Sequence, residues 1–370
     1  MTTSTPPHLP KLPRDGRFGS GPSKVRPEQI AAIQSPPMGT SHRQTGVREV
    51  VASIQIGLAE LFRLPEGYEV LLGNGGASAL WDAMSFALVE SSAQCAVVGE
   101  FSGKAARALE RAPWLNTPDI RRAEPGQVVQ CESAPDIDAY VYAHNETSTG
   151  ALTPLRRFGE ESALTLVDGT SVAGGIDVDI SAADFYYFSP QKCFGADGGL
   201  WLALASPAAL ERIERLSGQR WIPDFLNLQL AVTNSRKAQT LNTPAVATLL
   251  MLANQIDWIL AQGGLPAMEE RTRLSSGIIY SWAEERSFAN PFVAAEYRSP
   301  VVCTIDFSDD VDAAAIAREL RQHSIVDIEP YRSLGRNQLR ISTFPAIEAD
   351  DVRALLAAID AVVDSQGVAD

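Results

Sequence analysis

Apolar residues recur three and four apart over residues 50–64 (VVASIQIGLAELFRL), the repeat of one helix face, and Pro65 ends the run. A short apolar segment, residues 68–72, predicts a strand. Gly73-Asn74-Gly75-Gly76 then turns the chain, and residues 77–89 return to helical spacing. The same succession of strand and polar turn recurs. Residues 94–98 precede Gly99-Glu100-Phe101, residues 139–143 precede the polar run 144–150, and residues 164–167 precede Asp168-Gly169-Thr170-Ser171. Two further predicted strands, 185–188 and 199–205, bracket a polar loop over 189–198. Short, wholly apolar strands of this kind belong to a mainly parallel sheet covered on both faces, and their C-terminal ends share the edge where ligands bind.

Beyond a helical stretch over 244–262 the pattern changes. Residues 301–307 predict a strand, 311–323 a helix, 325–328 and 338–343 two strands, and 349–365 a closing helix. That order predicts a small α+β domain beside a larger α/β one. With 370 residues, the chain divides into an N-terminal arm (1–15), a large domain (16–258) and a small C-terminal domain (259–370). Composition narrows the partners. Thirty-one Lys and Arg against 45 Asp and Glu give a net charge of −14, which repels nucleic acid and anionic membranes. An anionic small substrate would have to be captured by a few local Arg, His or backbone N–H groups. Cys95, Cys131, Cys193 and Cys303 have no CxxC or metal-finger spacing, so a reducing compartment and no metal are expected. The Pro- and Thr-rich start has neither the basic nor the apolar part of a secretory signal, and no stretch approaches the roughly 20 apolar residues of a membrane span. A cytoplasmic location is the expectation.

Two residues carry the chemistry. Asp168 closes an apolar strand, and Lys192 follows another strand. Singly, each has an ordinary reading, the Asp as a turn or capping residue and the Lys as a solvated loop side chain. Together they match what pyridoxal phosphate (PLP) needs, a lysine amine for the Schiff base and a carboxylate that keeps the ring nitrogen protonated. The helix start at Gly75-Gly76-Ala77-Ser78 could supply backbone N–H groups for the phosphate, although such a turn serves equally as a plain strand-to-helix connection. A noncatalytic nucleotide-binding module is the alternative for that turn. It lacks a full GxGxxG and leaves Asp168, Lys192 and Arg340 without a joint role. Cys193, beside Lys192, reads as a small packing residue rather than a nucleophile, since no dedicated His base accompanies it.

The segments GSGPSKV (19–25), TSHR (40–43), AHNETSTG (143–150), VDGTSVAGG (167–175), FSPQKCFGADGG (188–199), NTP (242–244) and GRNQLRIS (335–342) stand in one register from about residue 15 onward. With them the chain resembles the phosphoserine aminotransferases, more particularly their actinobacterial branch, within the class V aminotransferases of PLP fold type I. The resemblance implies a large domain with a mainly parallel seven-stranded sheet flanked by helices, plus a small C-terminal α+β domain. It implies transfer of the amino group of L-glutamate to 3-phosphohydroxypyruvate, giving O-phospho-L-serine and 2-oxoglutarate by a ping-pong route. Whether 4-phosphohydroxythreonine also serves is left open. Other class V activities, such as serine or alanine glyoxylate transamination, form the near alternative.

Residue by residue, the resemblance makes Lys192 the Schiff-base lysine and proton carrier and Asp168 the ring-nitrogen partner. It places Thr147 at the ring's phenolic oxygen, Gln191 by the phosphate, Gly76 and Ala77 in the phosphate cradle, and Phe101 against the ring. Asn242 and Thr243 match phosphate ligands from a neighbouring subunit, which implies a homodimer with shared active sites. Arg340 matches the arginine that grips the substrate α-carboxylate. His42 and Arg43 match a pair reaching across the dimer to the distal anion, Ser20 lies in a substrate-contacting segment, and Arg336 is an additional phosphate ligand. The chain departs from many relatives in carrying Phe101 where they have tryptophan and Gly76-Ala77 where they have a cradle arginine; both departures fit the actinobacterial pattern.

Overall fold

The computed structural model describes residues 9–34 and 36–366; residues 1–8 of the predicted arm lie outside them. The apolar segments pair into one seven-stranded sheet. Its strands are β1 (Glu69–Asn74), β2 (Ala93–Val97), β3 (Asp119–Arg122), β4 (Ala139–Ala143), β7 (Leu164–Asp168), β8 (Phe185–Phe188) and β9 (Leu200–Ala205), in spatial order β1-β9-β8-β7-β4-β2-β3. The two-residue strands β5 (Asn145–Glu146) and β6 (Ala151–Leu152) form a separate ribbon after β4. From β3 to β8 every neighbour is parallel, whereas β9 runs antiparallel to both β8 and β1. The C-terminal ends of β1, β2, β4, β7 and β8 therefore meet at one edge. A second sheet holds β10 (Ala289–Pro291), β11 (Val302–Phe307) and β12 (Gln338–Ser342), all antiparallel.

Helices cover both faces of the large sheet: α1 (Pro27–Ala32), α2 (Thr45–Leu61), α3 (Ala77–Ala87), α4 (Glu100–Glu110), α5 (Pro207–Gln219), α6 (Leu228–Ser235) and α7 (Val246–Ala261), whereas α8 (Gly264–Glu284) packs on β10 and β11 of the small one. Two more, α9 (Ala313–Gln322) and α10 (Ala349–Ser365), complete the C-terminal unit. The period-two alternation of the strands sorts their side chains between two cores. Val70, Leu72, Tyr140, Tyr142, Val167 and Tyr186 join the cluster that contains Ile54 of α2, Ile256 of α7 and Ile279 of α8. Their neighbours Leu71, Val141, Leu166 and Tyr187 join Leu80 of α3, Leu109 of α4 and Ile213 of α5. Each such side chain contributes about 1.5–3 kcal/mol when removed from water. The first cluster continues into Val302, Ile305, Leu339 and Ile341, so both sheets share one core. We propose that the large and small units divide near residue 259, in the last turn of α7.

One predicted strand is absent. Residues 325–328 contribute only a single bridge, Val326 with Arg17, because Ser324 and Asp327 adopt left-handed backbone (φ 63° and 66°) and break the extended run. Helix α8 was hidden by its opening Gly263-Gly264-Leu265-Pro266, which reads as a breaker. Pro266 stands in the first turn, where no intrahelical N–H bond is lost. The N-terminal segment is stitched into the C-terminal unit. The Val326 amide donates to the Gly16 carbonyl (2.8 Å), and the Ser342 amide and hydroxyl donate to that of Phe18 (3.0 and 2.8 Å). A few residues on, the Ser23 amide donates to the Gln191 carbonyl (2.9 Å) and its hydroxyl to that of Lys192 (2.6 Å).

Candidate active site

Turns from the five converging strand ends border a cavity that opens to solvent, lined among others by Gly76, Ala77, Trp81, Phe101, Thr147, Asp168, Gln191 and Lys192. Lys192 leaves the loop after β8, and its Nζ donates to the carbonyl of Ser20 (2.5 Å). Gly21 makes room for it: a Cβ there would stand 2.0 Å from Nζ, on backbone with φ +133° that side chains rarely adopt. Burial, then the nearby Arg340 guanidinium, lower the Lys192 pKa to about 8, with Asp168 pulling the other way. A lysine so poised keeps an appreciable share of free amine at neutral pH. Attachment of PLP to cofactor-free protein is accordingly expected to quicken as pH rises, with a midpoint near 8, measured by stopped-flow absorbance. A midpoint near the ordinary lysine value of about 10.4 would refute the placement.

Asp168 ends β7 and is 7% exposed. Its Oδ1 accepts from the Thr170 amide (2.9 Å) and its Oδ2 from the Trp81 indole N–H (3.2 Å). Burial raises its pKa, while hydrogen bonds from Thr170 and Trp81 oppose the rise. A buried carboxylate facing a cavity is suited to a cationic partner there. The start of α3 supplies a further part of the wall. The Ala77 amide already donates to the Ser189 hydroxyl (2.7 Å), with Gly76 and Ser78 beside it on the lining. Among the described residues, three cavity-lining side chains keep a buried oxygen without a partner: Asn145 Oδ1, Thr170 Oγ1 and Gln191 Oε1. Buried polar atoms are normally satisfied. Unpaired oxygens, a poised amine and a buried carboxylate around one cavity fit a polar aromatic aldehyde with a protonated ring nitrogen, such as PLP.

Phe101 is held over this cavity by Glu146. That carboxylate is fully buried and accepts from the amides of Phe101 (3.1 Å) and Ser102 (2.9 Å) and from the hydroxyls of Ser102 (2.8 Å) and Ser148 (2.6 Å). It neutralises the exposed N–H groups and positive end of α4. The approach requires Gly99, where a Cβ would meet Glu146 Cγ at 2.4 Å. At the rim, Arg340 of β12 donates from Nη1 to the Thr147 carbonyl (3.0 Å), and its Nε is buried without a partner. Ser20 is also brought here, its hydroxyl buried and unpaired. Cys193 packs instead: its buried thiol lies 3.3 Å from the Ser171 carbonyl, and burial pushes its pKa up, away from thiolate chemistry.

Other expected residues gather elsewhere on the chain. Arg43 donates to Gln239 Oε1 (2.8 Å) and the Leu241 carbonyl (3.2 Å), and His42 Nδ1 lies 3.3 Å from the Thr243 hydroxyl. The side chain of Asn74 ties in the backbone of Asn242 and Thr243. None of these four lines the Lys192 cavity. Arg336 is likewise outside it, paired with Asp306 and laid over the Phe292 ring at 4.6 Å. Sequence reading overlooked Trp81, Asn145, Glu146 and Thr170. Trp81 lies one turn beyond the cradle on the same helix, and the other three sit inside motifs already singled out, beside Thr147 and Asp168.

This fold and site define a class V aminotransferase, and residues 120–329 match that family, Aminotransferase class-V. The chain is 57% identical to the phosphoserine aminotransferase of Corynebacterium glutamicum over 97% of each chain. It belongs to the phosphoserine aminotransferase family. Solved structures share its architecture. The enzyme of Cytophaga hutchinsonii superposes with a TM-score of 0.86 at 23% identity, over 94% of this chain and 99% of that one. A PLP-bound phosphoserine aminotransferase from Trichomonas vaginalis does so at 0.79 and 21%, over 94% and 100%.

Proposed function

We propose that the protein moves the amino group of L-glutamate to 3-phosphohydroxypyruvate, forming O-phospho-L-serine and 2-oxoglutarate, with PLP as its cofactor. The observation that carries this reading is the Lys192 amine and the Asp168 carboxylate at one cavity, with the Arg340 guanidinium at its rim. Bound there, PLP supplies an aldehyde for Lys192 and a ring that accepts the electron pair left at the substrate's α-carbon. Lys192 would hold the cofactor covalently. Once released by the incoming amino acid, its Nζ takes the proton from the substrate Cα and returns it on the other side of the exchange. The lowered pKa suits both tasks, since the amine is neither permanently charged nor a strong base. Asp168 holds a proton at the ring nitrogen, Thr147 and Gln191 fix the ring's polar edge, the start of α3 takes the phosphate, and Phe101 bears on the ring face. Arg340 orients the substrate through its carboxylate, using the Nε side left open by the bond of Nη1 to Thr147.

His42, Arg43, Asn242 and Thr243 complete this scheme from a second subunit. Their clustering on a patch separate from the chain's own cavity supports a homodimer in which each chain lends that patch to its partner. A cytoplasmic location suits four cysteines that are all free and buried. Among the described residues, no helix is long and apolar enough to cross a membrane. The test is a coupled assay with glutamate and either 3-phosphohydroxypyruvate or hydroxypyruvate. Arg43→Ala should raise KM for the phosphorylated acceptor by about 10- to 100-fold, the worth of a hydrogen bond to a charged group, and leave that for the unphosphorylated one nearly unchanged. Equal weakening of both would favour a glyoxylate-type transaminase instead.

A further inference from the structure

Arg340 is approached from two directions. The Thr147 carbonyl accepts from Nη1, and the ring of Tyr331 lies against the guanidinium, 5.3 Å from its centre. The same ring meets Phe101 edge-on, with centroids 5.5 Å apart and planes at 64°. Its hydroxyl accepts from Lys104 Nζ (3.4 Å), which itself stands 5.2 Å from the Phe101 ring. A closed circuit results, running from Phe101 through Tyr331 and Arg340 to Thr147, then through Glu146 back to the Phe101 amide. Tyr331 is half-buried in the turn that leads into β12 and is not among the residues lining the cavity.

We propose that Tyr331 is a positioning residue for the reaction, its ring setting the direction of the Arg340 guanidinium and so the grip on the substrate's α-carboxylate. This rests on the transaminase reading above, in which Arg340 binds that carboxylate. A guanidinium pairs bidentately only when its plane is aligned with the carboxylate. With Nη1 fixed at Thr147, one rotation remains, about the axis through that bond, and the aromatic face of Tyr331 restrains it. A cation held over an aromatic ring gains most when water is excluded, as it is around the buried Nε. Both half-reactions bring a substrate with an α-carboxylate, so the effect must appear for donor and acceptor alike.

Steady-state kinetics of the holoenzyme test this, together with calorimetric binding of maleate, a dicarboxylate that does not react. Tyr331→Leu should raise KM for glutamate and for the keto acid by about 3- to 30-fold and weaken maleate by the same factor, with kcat within about twofold. Tyr331→Phe, which keeps the ring, should restore all three to within about twofold of wild type. Added to Arg340→Ala, Tyr331→Leu should have no further effect, since the pair acts as one unit. Unchanged KM and maleate affinity in Tyr331→Leu, equal damage by the Phe variant, full additivity with Arg340→Ala, or a loss confined to kcat would each overturn the inference. If Arg340→Ala itself spares KM and maleate binding, the reading of Arg340 fails and the inference with it. If Arg340→Ala weakens both while Tyr331→Leu weakens neither, only the inference fails.

Discussion

Lys192→Ala is expected to lose turnover by at least about 10⁴-fold, the upper range for removal of a positioned acid–base group. With it should go the yellow colour of the PLP-loaded protein. The two losses have separate causes. Nζ is the group that would carry the cofactor covalently, and with its pKa lowered to about 8 it is also the base that would take the proton from the substrate's α-carbon. An alanine leaves the cavity walls in place, so PLP should still bind, weakly and without the visible band, and be washed out on dialysis. Absorbance scans before and after dialysis, paired with the coupled assay, read both effects. A variant that retains colour and more than a few per cent of activity would place the chemistry on another residue.

Asp168→Asn should lower kcat by about 10²–10³-fold, the cost seen when one preorganised electrostatic group is removed from a reacting centre. The amide preserves shape and can still accept from Thr170, but its NH2 cannot accept from the Trp81 indole N–H and it cannot hold a proton on the ring nitrogen. The same substitution should change how stability depends on pH. Burial raises the Asp168 pKa on folding, so above that raised value the charged form costs the native state free energy, a cost that fades as pH falls from the folded-state value and is gone below the unfolded one. The melting temperature of cofactor-free Asp168→Asn, taken relative to cofactor-free wild type, should therefore rise from pH 4 to pH 7. A variant with full kcat, or with a lowered melting temperature that does not change with pH, would show that Asp168 is a structural capping residue.

Much of the large sheet was legible because its strands are short and wholly apolar, and a wholly buried strand has no competing polar pattern. Residues 139–143 and 185–188 appear with the predicted limits. Helix α4 was not read from the pattern: its buried face is made of Ser102, Gly103, Ala105, Ala106 and Leu109, too small to stand out as an apolar stripe. At the site, Asp168 and Lys192 could be paired from sequence because each follows a strand whose end must reach the same edge. The contacts of Glu146 could not, since a carboxylate in a polar loop gives no sign that it will be buried beneath a helix start over forty positions away. Tyr331 is harder still. Its neighbours Phe101 and Arg340 come from helix α4 beside the large sheet and from strand β12 of the small one, and only the packed chain brings them to one ring.

The seat of Phe18 has a consequence for how the molecule is made. The segment that presents the Ser20 carbonyl to Lys192 is anchored on Ser342, and just before it the Arg14 amide donates to Asp351. On a ribosome those anchors emerge long after the segment they hold. Residues 14–20 must wait for β12 and α10 to be made before their berth exists, although the strands that supply Asp168 and Lys192 have long since been exposed. A nascent chain halted short of β12 would hold the reactive pair without the strand that steadies it, so the reactive centre is completed only once the segment around Phe18 has met Ser342.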